Sequence, residues 1–172
     1  MWRGGAYPSV GWSSRRYDAS VSCRFIARSV IRTNAEALFA FHELPDAFLR
    51  LLPPGEKIRV VQTAPSLEIG NRTIVDIRIG FLYVRFESLH TAYDPPHSFE
   101  DQQVRGPFRS WRHRHIVERH PDGAILIDDI EYTPPFGLLG RAFDPIVIKP
   151  RLRKVFAFRH RVTRESCENA RP

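Results

Sequence analysis

Two histidines separated by one residue, His113 and His115, are the side chains of this 172-residue sequence best placed to do chemistry. They lie in the segment WRHRHIV, residues 111–117, in which tryptophan and histidine alternate with arginine. Alternation at period two is typical of a β-strand with one face in water and one in the interior. Because the arginines belong in water, we expect Trp111 and both histidines to face inward. An imidazole in that position can bind a metal ion, transfer a proton or join a buried hydrogen-bond network.

A second strand is expected to bring an acid and a phenol to the histidine pair. Pro121, Asp122 and Gly123 favour a tight hairpin turn, since aspartate and glycine tolerate the positive φ that such turns need. The strand after the turn would then carry Asp128 and Tyr132 on the face of the histidines. We expect an ionised Asp128 to raise the pKa of the histidine that it contacts, and we expect its own pKa to fall.

Three interpretations of the cluster of His113, His115, Asp128 and Tyr132 stay open. A metal ion would need a third or fourth ligand, and because the neighbouring sequence lacks one, we predict no metal site and no cofactor. Acid–base catalysis would use either histidine as the base, Asp128 to orient it and Tyr132 as proton donor or oxyanion partner. A buried polar network would fix the strand register without catalysis. We favour the network, because no nucleophile motif or phosphate-binding loop accompanies the cluster.

Further side chains are predicted to line the same interior space. Asp101 and Gln103 share a strand face with Phe99. They would bind the polar end of a ligand, or they would bond Arg78 or Arg85 instead. Aromatic residues would form the apolar wall that small-molecule pockets usually have. The predicted ligand-contacting residues are Phe86, His90, Phe99, Asp101, Gln103, Trp111, His113, His115, Asp128 and Tyr132.

The elements that must position these residues are predicted from hydrophobic periodicity and turn residues. Residues 21–32 alternate as a first strand, and residues 33–36 have the sequence of a capping box, in which the Thr33 hydroxyl would begin a helix. Two short helices would come next, over residues 34–42 and 45–52. Further strands are expected over residues 57–62, 67–78 and 81–93, and a helical tail over residues 138–163. The tail should bend or restart at its two prolines.

Several phrases of the sequence resemble one known superfamily. They are FEDQ (residues 99–102), GPFRSWRHRH (106–115), DIEY (129–132) with Asp128 before it, and PFGLLG (135–140). The resemblance is to the polyketide cyclase/dehydrase and START-like superfamily, the SRPBCC proteins, which include the Bet v 1-like helix-grip proteins, and it covers about residues 22–164. It implies an α+β helix-grip fold, with a curved antiparallel β-sheet wrapped around a long C-terminal helix and two short helices after the first strand. It also implies a cavity between sheet and helix, although members of the superfamily act on very different hydrophobic molecules.

Length and composition predict a single domain over residues 21–165. Residues 1–20, rich in glycine, serine and arginine, are expected to form a flexible arm, and residues 166–172 a C-terminal tail. The two cysteines are too few and too far apart to form a disulfide framework. No apolar run is long enough for a signal peptide or a membrane span. We therefore expect a cytoplasmic protein with no integral membrane contact.

The basic charge is not expected to mark a nucleic-acid-binding protein. Lysine and arginine number 26 against 19 aspartates and glutamates, which gives a formal net charge of +7 and would suit a polyanionic partner. The arginines are scattered singly over predicted solvent faces, and no nucleic-acid recognition motif accompanies them. We predict no nucleic-acid partner, and the oligomeric state stays open.

The leading functional hypothesis is the binding of a hydrophobic small molecule, such as a lipid, an isoprenoid or a polyketide-like compound, between the sheet and the C-terminal helix. Binding is favoured over catalysis because the polar groups are few. One alternative is an enzyme of the cyclase/dehydrase type that uses His113, His115, Asp128 and Tyr132. A second alternative, implied by the resemblance, is an accessory domain to a nucleotide-sugar-epimerase-like enzyme.

Overall fold

The computed structural model describes residues 22–169, so the expected N-terminal arm lies outside the described residues. The strands are β1 (Cys23–Ile31), β2 (Ile58–Gln62), β3 (Arg72–Ile79), β4 (Leu82–Asp94), β5 (Ser98–Arg105), β6 (Ser110–His120) and β7 (Gly123–Thr133). The helices are α1 (Ala35–Glu43), α2 (Ala47–Arg50), α3 (Leu138–Phe143) and α4 (Lys149–Asn169), and a π-helical turn, Asp144–Ile148, joins the last two. Within residues 22–169, the strands form one antiparallel sheet in the order β1-β7-β6-β5-β4-β3-β2. This curved sheet with its long C-terminal helix confirms the predicted α+β architecture.

The hairpin of β6 and β7 forms where the turn residues predict it. Its antiparallel pairing sets His115 opposite Asp128, so that the two side chains share a face of the sheet as predicted. Gly123 begins β7 with a φ of +140°, a conformation that favours glycine. A Cβ atom at this position would lie 2.2 Å from the carbonyl oxygen of Ile31. The glycine therefore lets the end of the hairpin approach the end of β1.

Two apolar clusters hold the helices against the inner face of the sheet. In the first, Leu38 and Phe39 of α1 pack with Phe99 of β5. In the second, Phe156 of α4 packs against Ile130 of β7. Burial of side chains of this size contributes about 2 kcal/mol each, so these contacts fix where α1 and α4 cross the sheet.

The start of α1 differs from the prediction. The capping residue is Asn34 and not Thr33, because the Asn34 side chain accepts a hydrogen bond from the backbone N–H of Ala37 at 2.7 Å. This is the geometry of an N-cap oxygen with the third residue of the first turn. Glu36, expected to complete a capping box, instead forms an ion pair with Arg119 at 2.6 Å.

Two other elements are shorter than predicted. The second helix is predicted over residues 45–52, but α2 spans only Ala47–Arg50. Its end agrees with Pro53, which disfavours a helical conformation for the residue before it. The strand expected from residue 67 begins at Arg72, because Asn71 closes a turn with a side-chain hydrogen bond to Ser66 at 2.7 Å.

The C-terminal helix is interrupted and longer than predicted. Pro145, which lacks a backbone N–H, lies in the π-helical turn, and regular helix resumes at Lys149. The helix continues to Asn169, past the predicted domain end at residue 165. Cys167 is buried in the α1 cluster, so residues 166–169 belong to the domain and not to a tail. Within residues 22–169, no helix combines the length and the apolar character that a bilayer crossing requires.

Candidate ligand-binding cavity

A cavity of about 710 Å³ lies between the sheet and helices α2, α3 and α4. Its size falls within the range of small-molecule pockets, roughly 300 to 1,000 Å³. Strands β3, β4 and β6 provide one wall and α4 the other. Apolar side chains on these walls include Val75, Ile77, Phe86, Trp111, Val155 and Phe156.

The opening of the cavity is also apolar. Four residues of the segment 136–147 line the cavity and remain more than half exposed to solvent: Phe136, Leu139, Phe143 and Val147. Ile79 at the end of β3 also lines the cavity and is 43% exposed. A hydrophobic solute can therefore enter along an apolar path.

A polar patch interrupts the apolar wall on β5 and β6. His113 and His115 line the cavity with their rings 3.8 Å apart between centroids, and Asp101 of β5 pairs across the sheet with His113. Oδ2 of Asp101 lies 3.5 Å from Nδ1 of His113 and 3.7 Å from Nε2 of His115. The face of the His115 ring is covered by Phe99, which stacks on it at 4.0 Å.

Asp128 lies behind this patch and contacts three imidazoles. Its Oδ1 is 2.7 Å from Nε2 of His113, and Nδ1 of His115 is 2.8 Å from the same oxygen but off the hydrogen-bonding direction. Its Oδ2 is 2.6 Å from Nε2 of His160, whose other nitrogen is 2.8 Å from the hydroxyl of Ser29. Asp128 is only 3% exposed, so protein groups rather than water balance its charge.

The pKa shifts agree with this arrangement. Burial alone would raise the pKa of Asp128, but the charge of His115 and the hydrogen bonds from the imidazoles hold it well below its usual range. Burial alone would lower the pKa of His115, yet the charge of Asp128 raises it overall. For His113, burial and the charge of His115 prevail, and the pKa falls. The expected effect of Asp128 therefore agrees with the pKa shifts of its own carboxyl and of His115. Asp128 also acts to raise the pKa of His113, but burial and the charge of His115 outweigh it.

Two histidines of this region escaped the sequence analysis. His160 lies one helical turn after Phe156, on the buried stripe of α4, and that spacing was the available signal. His42 of α1 lies with its ring 6.0 Å from His115, and its Nδ1 is 3.0 Å from the carbonyl oxygen of Leu38. Burial and the charge of His115 lower the pKa of His42 to about 4, so this imidazole is neutral at pH 7.

Three buried polar atoms beside the cavity have no hydrogen-bond partner among the described residues. Within residues 22–169, these are Nε of Arg159, Nδ1 of His90 and Nδ1 of His115. All three residues line the cavity. Because buried polar groups in native proteins are normally paired, these positions mark a polar part of the cavity wall.

Comparison with known proteins identifies the fold of this chain through structural similarity. Neither a protein-family model nor a curated protein matches the sequence. Among solved structures, norcoclaurine synthase from Thalictrum flavum, in complex with dopamine and hydroxybenzaldehyde, superposes with a TM-score of 0.66 at 12% identity over 88% of this chain and 90% of that one. Major latex-like protein 151 from Panax ginseng gives 0.64 at 12% identity over 86% and 98%. This chain has the Bet v 1-like helix-grip fold.

A further similar structure belongs to a two-domain protein. The di-domain ARO/CYC StfQ from the steffimycin biosynthetic pathway has the same helix-grip fold, with a TM-score of 0.64 at 12% identity. The match covers 87% of this chain and 52% of StfQ, so the chain spans about half the length of that protein. Identities this low establish the fold, and function has to be argued from the cavity itself.

Most of the predicted contact residues do line the helix-grip cavity. Those that do are Phe86, His90, Phe99, Asp101, Trp111, His113 and His115. Gln103 does not, because its side chain bonds the backbone N–H and carbonyl of Phe108 and so closes the loop after β5. The arginines suggested as partners of Asp101 and Gln103 bind elsewhere: Arg85 pairs with Asp76, and Arg78 bonds the carbonyl of Gly80.

Tyr132 is placed on the predicted face but not in the cavity. Its side chain is fully buried, and its hydroxyl donates to Asp144 of the π-helical turn. Burial and Asp144 raise the pKa of Tyr132. The role of proton donor suggested for Tyr132 is therefore wrong, since the hydroxyl has a structural partner and does not face the cavity. Asp128 also does not line the cavity, but it contacts both histidines that do.

Three of the cavity side chains have the composition of a metal-ligand set. Ligand atoms of Asp101, His113 and His115 all lie within 4.8 Å of one another. The sequence near the histidines lacks a third ligand, but β5 supplies it through the pairing of the sheet. The arrangement can thus bind the polar end of a molecule, hold a proton or coordinate a cation.

Proposed function

We propose that this protein binds a hydrophobic small molecule, such as a lipid, an isoprenoid or a polyketide-like compound, in the helix-grip cavity. The observation that carries the proposal is the volume of about 710 Å³, which has apolar walls and polar groups on β4, β5, β6 and α4. A monomeric protein rarely leaves so much apolar surface uncovered without a use for it.

The apolar walls supply the affinity. Each ~100 Å² of apolar ligand surface removed from water contributes about 2.5 kcal/mol. Part of this gain offsets the loss of translational and rotational freedom on binding. The exposed apolar residues at the opening, among them Phe136 and Phe143, give the ligand an entry route.

The polar groups supply the orientation. Arg159 and His90 both line the cavity. A ligand with an oxygen-bearing end, such as a carboxylate or a phenol, would bond these side chains while its apolar body contacts the walls. Two similar helix-grip structures support this ligand class, because one was solved with dopamine and hydroxybenzaldehyde and the other is an ARO/CYC protein.

Binding of the fluorescent probe anilinonaphthalene sulfonate (ANS) tests the proposal. Val155 of α4 lines the cavity, whereas Ala157, two residues further on, is exposed. We expect Val155→Trp to fill the cavity and to weaken ANS binding at least tenfold, whereas Ala157→Trp adds the same side chain outside and leaves it unchanged. Thermal melts check that both variants fold. Equal ANS affinity in wild type and Val155→Trp would refute the proposal.

A second candidate function, acid–base catalysis of the cyclase/dehydrase type, is favoured by one observation. His113 and His115 line the cavity, and Asp128 contacts both from behind, as an orienting carboxylate does behind a general base. The wild type would then accelerate exchange of the α-protons of a β-diketone with deuterium, measured by NMR, and His115→Gln would lose the acceleration but retain ANS binding. Exchange at the uncatalysed rate in the wild type would exclude this candidate for that substrate class.

A further inference from the structure

Asp128 contacts one nitrogen of each cavity histidine and leaves the other nitrogen facing Asp101. Nε2 of His113 lies 2.7 Å from Asp128 Oδ1, and Nδ1 of His115 lies 2.8 Å from the same oxygen but off the hydrogen-bonding direction. An ionised carboxylate only accepts hydrogen bonds, so Nε2 of His113 donates its proton to Asp128. Nδ1 of His113 and Nε2 of His115 are then the nitrogens that remain for a ligand bond.

These two nitrogens face a third group that can bind a cation, the carboxylate of Asp101. Its Oδ2 is 3.5 Å from Nδ1 of His113 and 3.7 Å from Nε2 of His115. A metal ion binds such nitrogens in their deprotonated form and displaces a proton held by either ring, and the charges of Asp101 and Asp128 attract it. We propose that Asp101, His113 and His115 form a binding site for a divalent first-row transition-metal ion in the cavity wall.

The distances suit such an ion. Tetrahedral coordination with bonds of 2.0–2.1 Å separates neighbouring ligand atoms by about 3.4 Å. The two measured separations from Asp101 exceed this by a few tenths of an ångström, which a side-chain rotation can remove. Two imidazoles and one carboxylate favour zinc, cobalt or iron over calcium or magnesium, which prefer oxygen ligands.

The surroundings of the three ligands match those of known metal sites. Metal-binding histidines usually donate their second N–H to a carboxylate; Asp128 occupies that position for His113 and lies 2.8 Å from the corresponding nitrogen of His115. His160 holds the other oxygen of Asp128 at 2.6 Å and so keeps the supporting carboxylate in place. All three ligands line the cavity, so further coordination positions are open to water or to a ligand oxygen.

The local charge also favours a dication. Asp101 and Asp128 contribute two negative charges, and the Arg159 guanidinium, which interacts with both, contributes one positive charge. A metal ion that displaces the histidine protons therefore meets a net negative charge from these three groups in the wall of the cavity. This metal site goes beyond the proposed binding of a hydrophobic molecule, because Asp101, His113 and His115 would contact only the polar end of such a ligand.

Titration of the full-length protein with Co²⁺ and Zn²⁺ tests the site. The protein is prepared without a histidine tag, treated with chelator and dialysed to neutral pH. We expect one equivalent of Co²⁺ to give the visible d–d absorption of a nitrogen- and oxygen-ligated ion, Zn²⁺ to displace it, and Zn²⁺ to raise the melting temperature. The absence of saturable Co²⁺ absorption in the wild type would overturn the proposal.

Variants identify the ligands. Asp101→Asn and His115→Gln should each abolish the Co²⁺ spectrum, and Asp128→Asn should weaken Zn²⁺ binding by about 10- to 100-fold, as loss of a supporting carboxylate does. The matched control is His120→Gln, on the same strand but outside the cavity lining. Wild-type affinity in a folded Asp101→Asn variant would overturn the assignment. Failure of the metal site would leave the ANS result with Val155→Trp intact, so the two proposals fail separately.

Discussion

His160 of α4 and Asp128 of β7 form a buried contact in which Nε2 lies 2.6 Å from Oδ2. The second nitrogen of His160 reaches Ser29 of β1 at 2.8 Å, so one side chain joins the long helix to two strands. Both members of the pair are at most 5% exposed, and water does not screen their interaction. Asp128 thus links the stability of the sheet and helix to the geometry of the cavity histidines.

Removal of the Asp128 carboxylate should destabilise the fold strongly. Asp128→Ala leaves the buried imidazoles of His113 and His160 without their acceptor and His115 without a neighbouring negative charge. We expect a loss of about 3 kcal/mol in the free energy of unfolding. Asp128→Asn keeps an acceptor oxygen and should lose less. The control is Asp129→Ala on the opposite face, whose ion pair with the half-exposed Arg24 should contribute less than about 1 kcal/mol. Urea denaturation at neutral pH measures all three, and a wild-type curve for Asp128→Ala would contradict the buried network.

The helix-to-sheet contact should appear as a coupling energy. We expect the double variant His160→Ala with Asp128→Asn to lose less stability than the two single losses added together, by about 1 kcal/mol or more. The same cycle with Asp129→Asn in place of Asp128→Asn should show no coupling, because Asp129 faces the other side of the sheet and pairs with Arg24. Additivity in the first cycle would mean that the contact between α4 and β7 contributes nothing.

His42 should make the protein sensitive to acid. Burial lowers its pKa from 6.5 to about 4, with His115 adding repulsion and Asp128 a weaker attraction, so the folded state excludes a proton that the unfolded state accepts. The contribution of neutral His42 to the free energy of unfolding is therefore fully present above pH 6.5 and is lost as the pH falls from 6.5 towards 4. At ~1.4 kcal/mol per pKa unit, the loss is about 3 kcal/mol. Urea denaturation as a function of pH should show this loss in the wild type and less of it in His42→Gln. Parallel curves for the two proteins would contradict the assignment.

Tyr132 should matter for stability and not for binding. Tyr132→Phe removes the hydroxyl that donates to the buried Asp144, and we expect a loss of about 2 kcal/mol, as for other hydrogen bonds to charged groups. ANS affinity should stay at the wild-type value, because Tyr132 does not line the cavity. Tyr83→Phe, at a 40% exposed position, is the control for loss of a tyrosine hydroxyl and should change neither quantity. If Tyr132→Phe lost ANS binding but kept the stability of the wild type, Tyr132 would be a binding residue and this account would be wrong.

The hairpin and its polar face could be predicted because their signals are local. The alternation around His113 and His115, and the turn at Gly123, fix which side chains of β6 and β7 share a face. Alternation gives the face of a strand but not the element that covers it. The prediction for Tyr132 therefore has the right face and the wrong surroundings, since the covering residue, Asp144, comes from a π-helical turn that has no sequence signature.

The contribution of α4 could not be predicted for a related reason. Whether His160 reaches Asp128 depends on the rotation of the helix about its axis. A π-helical turn adds a residue to one turn and rotates the remainder of the helix by about 100°. Similarly, Asp101 meets the histidines through the pairing of β5 with β6, which depends on the loop that Gln103 closes against Phe108.

The central claim is that a hydrophobic molecule occupies the cavity, and Trp111 can report it directly. Trp111 lines the cavity, packed against Phe108 at 4.9 Å between centroids, and the other two tryptophans, Trp2 and Trp12, can be replaced by phenylalanine. A brominated dodecanoic acid quenches tryptophan fluorescence on contact. We predict saturable quenching of Trp111 that unbrominated dodecanoic acid reverses. Quenching that rises linearly with concentration and is not reversed by the unbrominated acid would contradict a ligand-binding cavity.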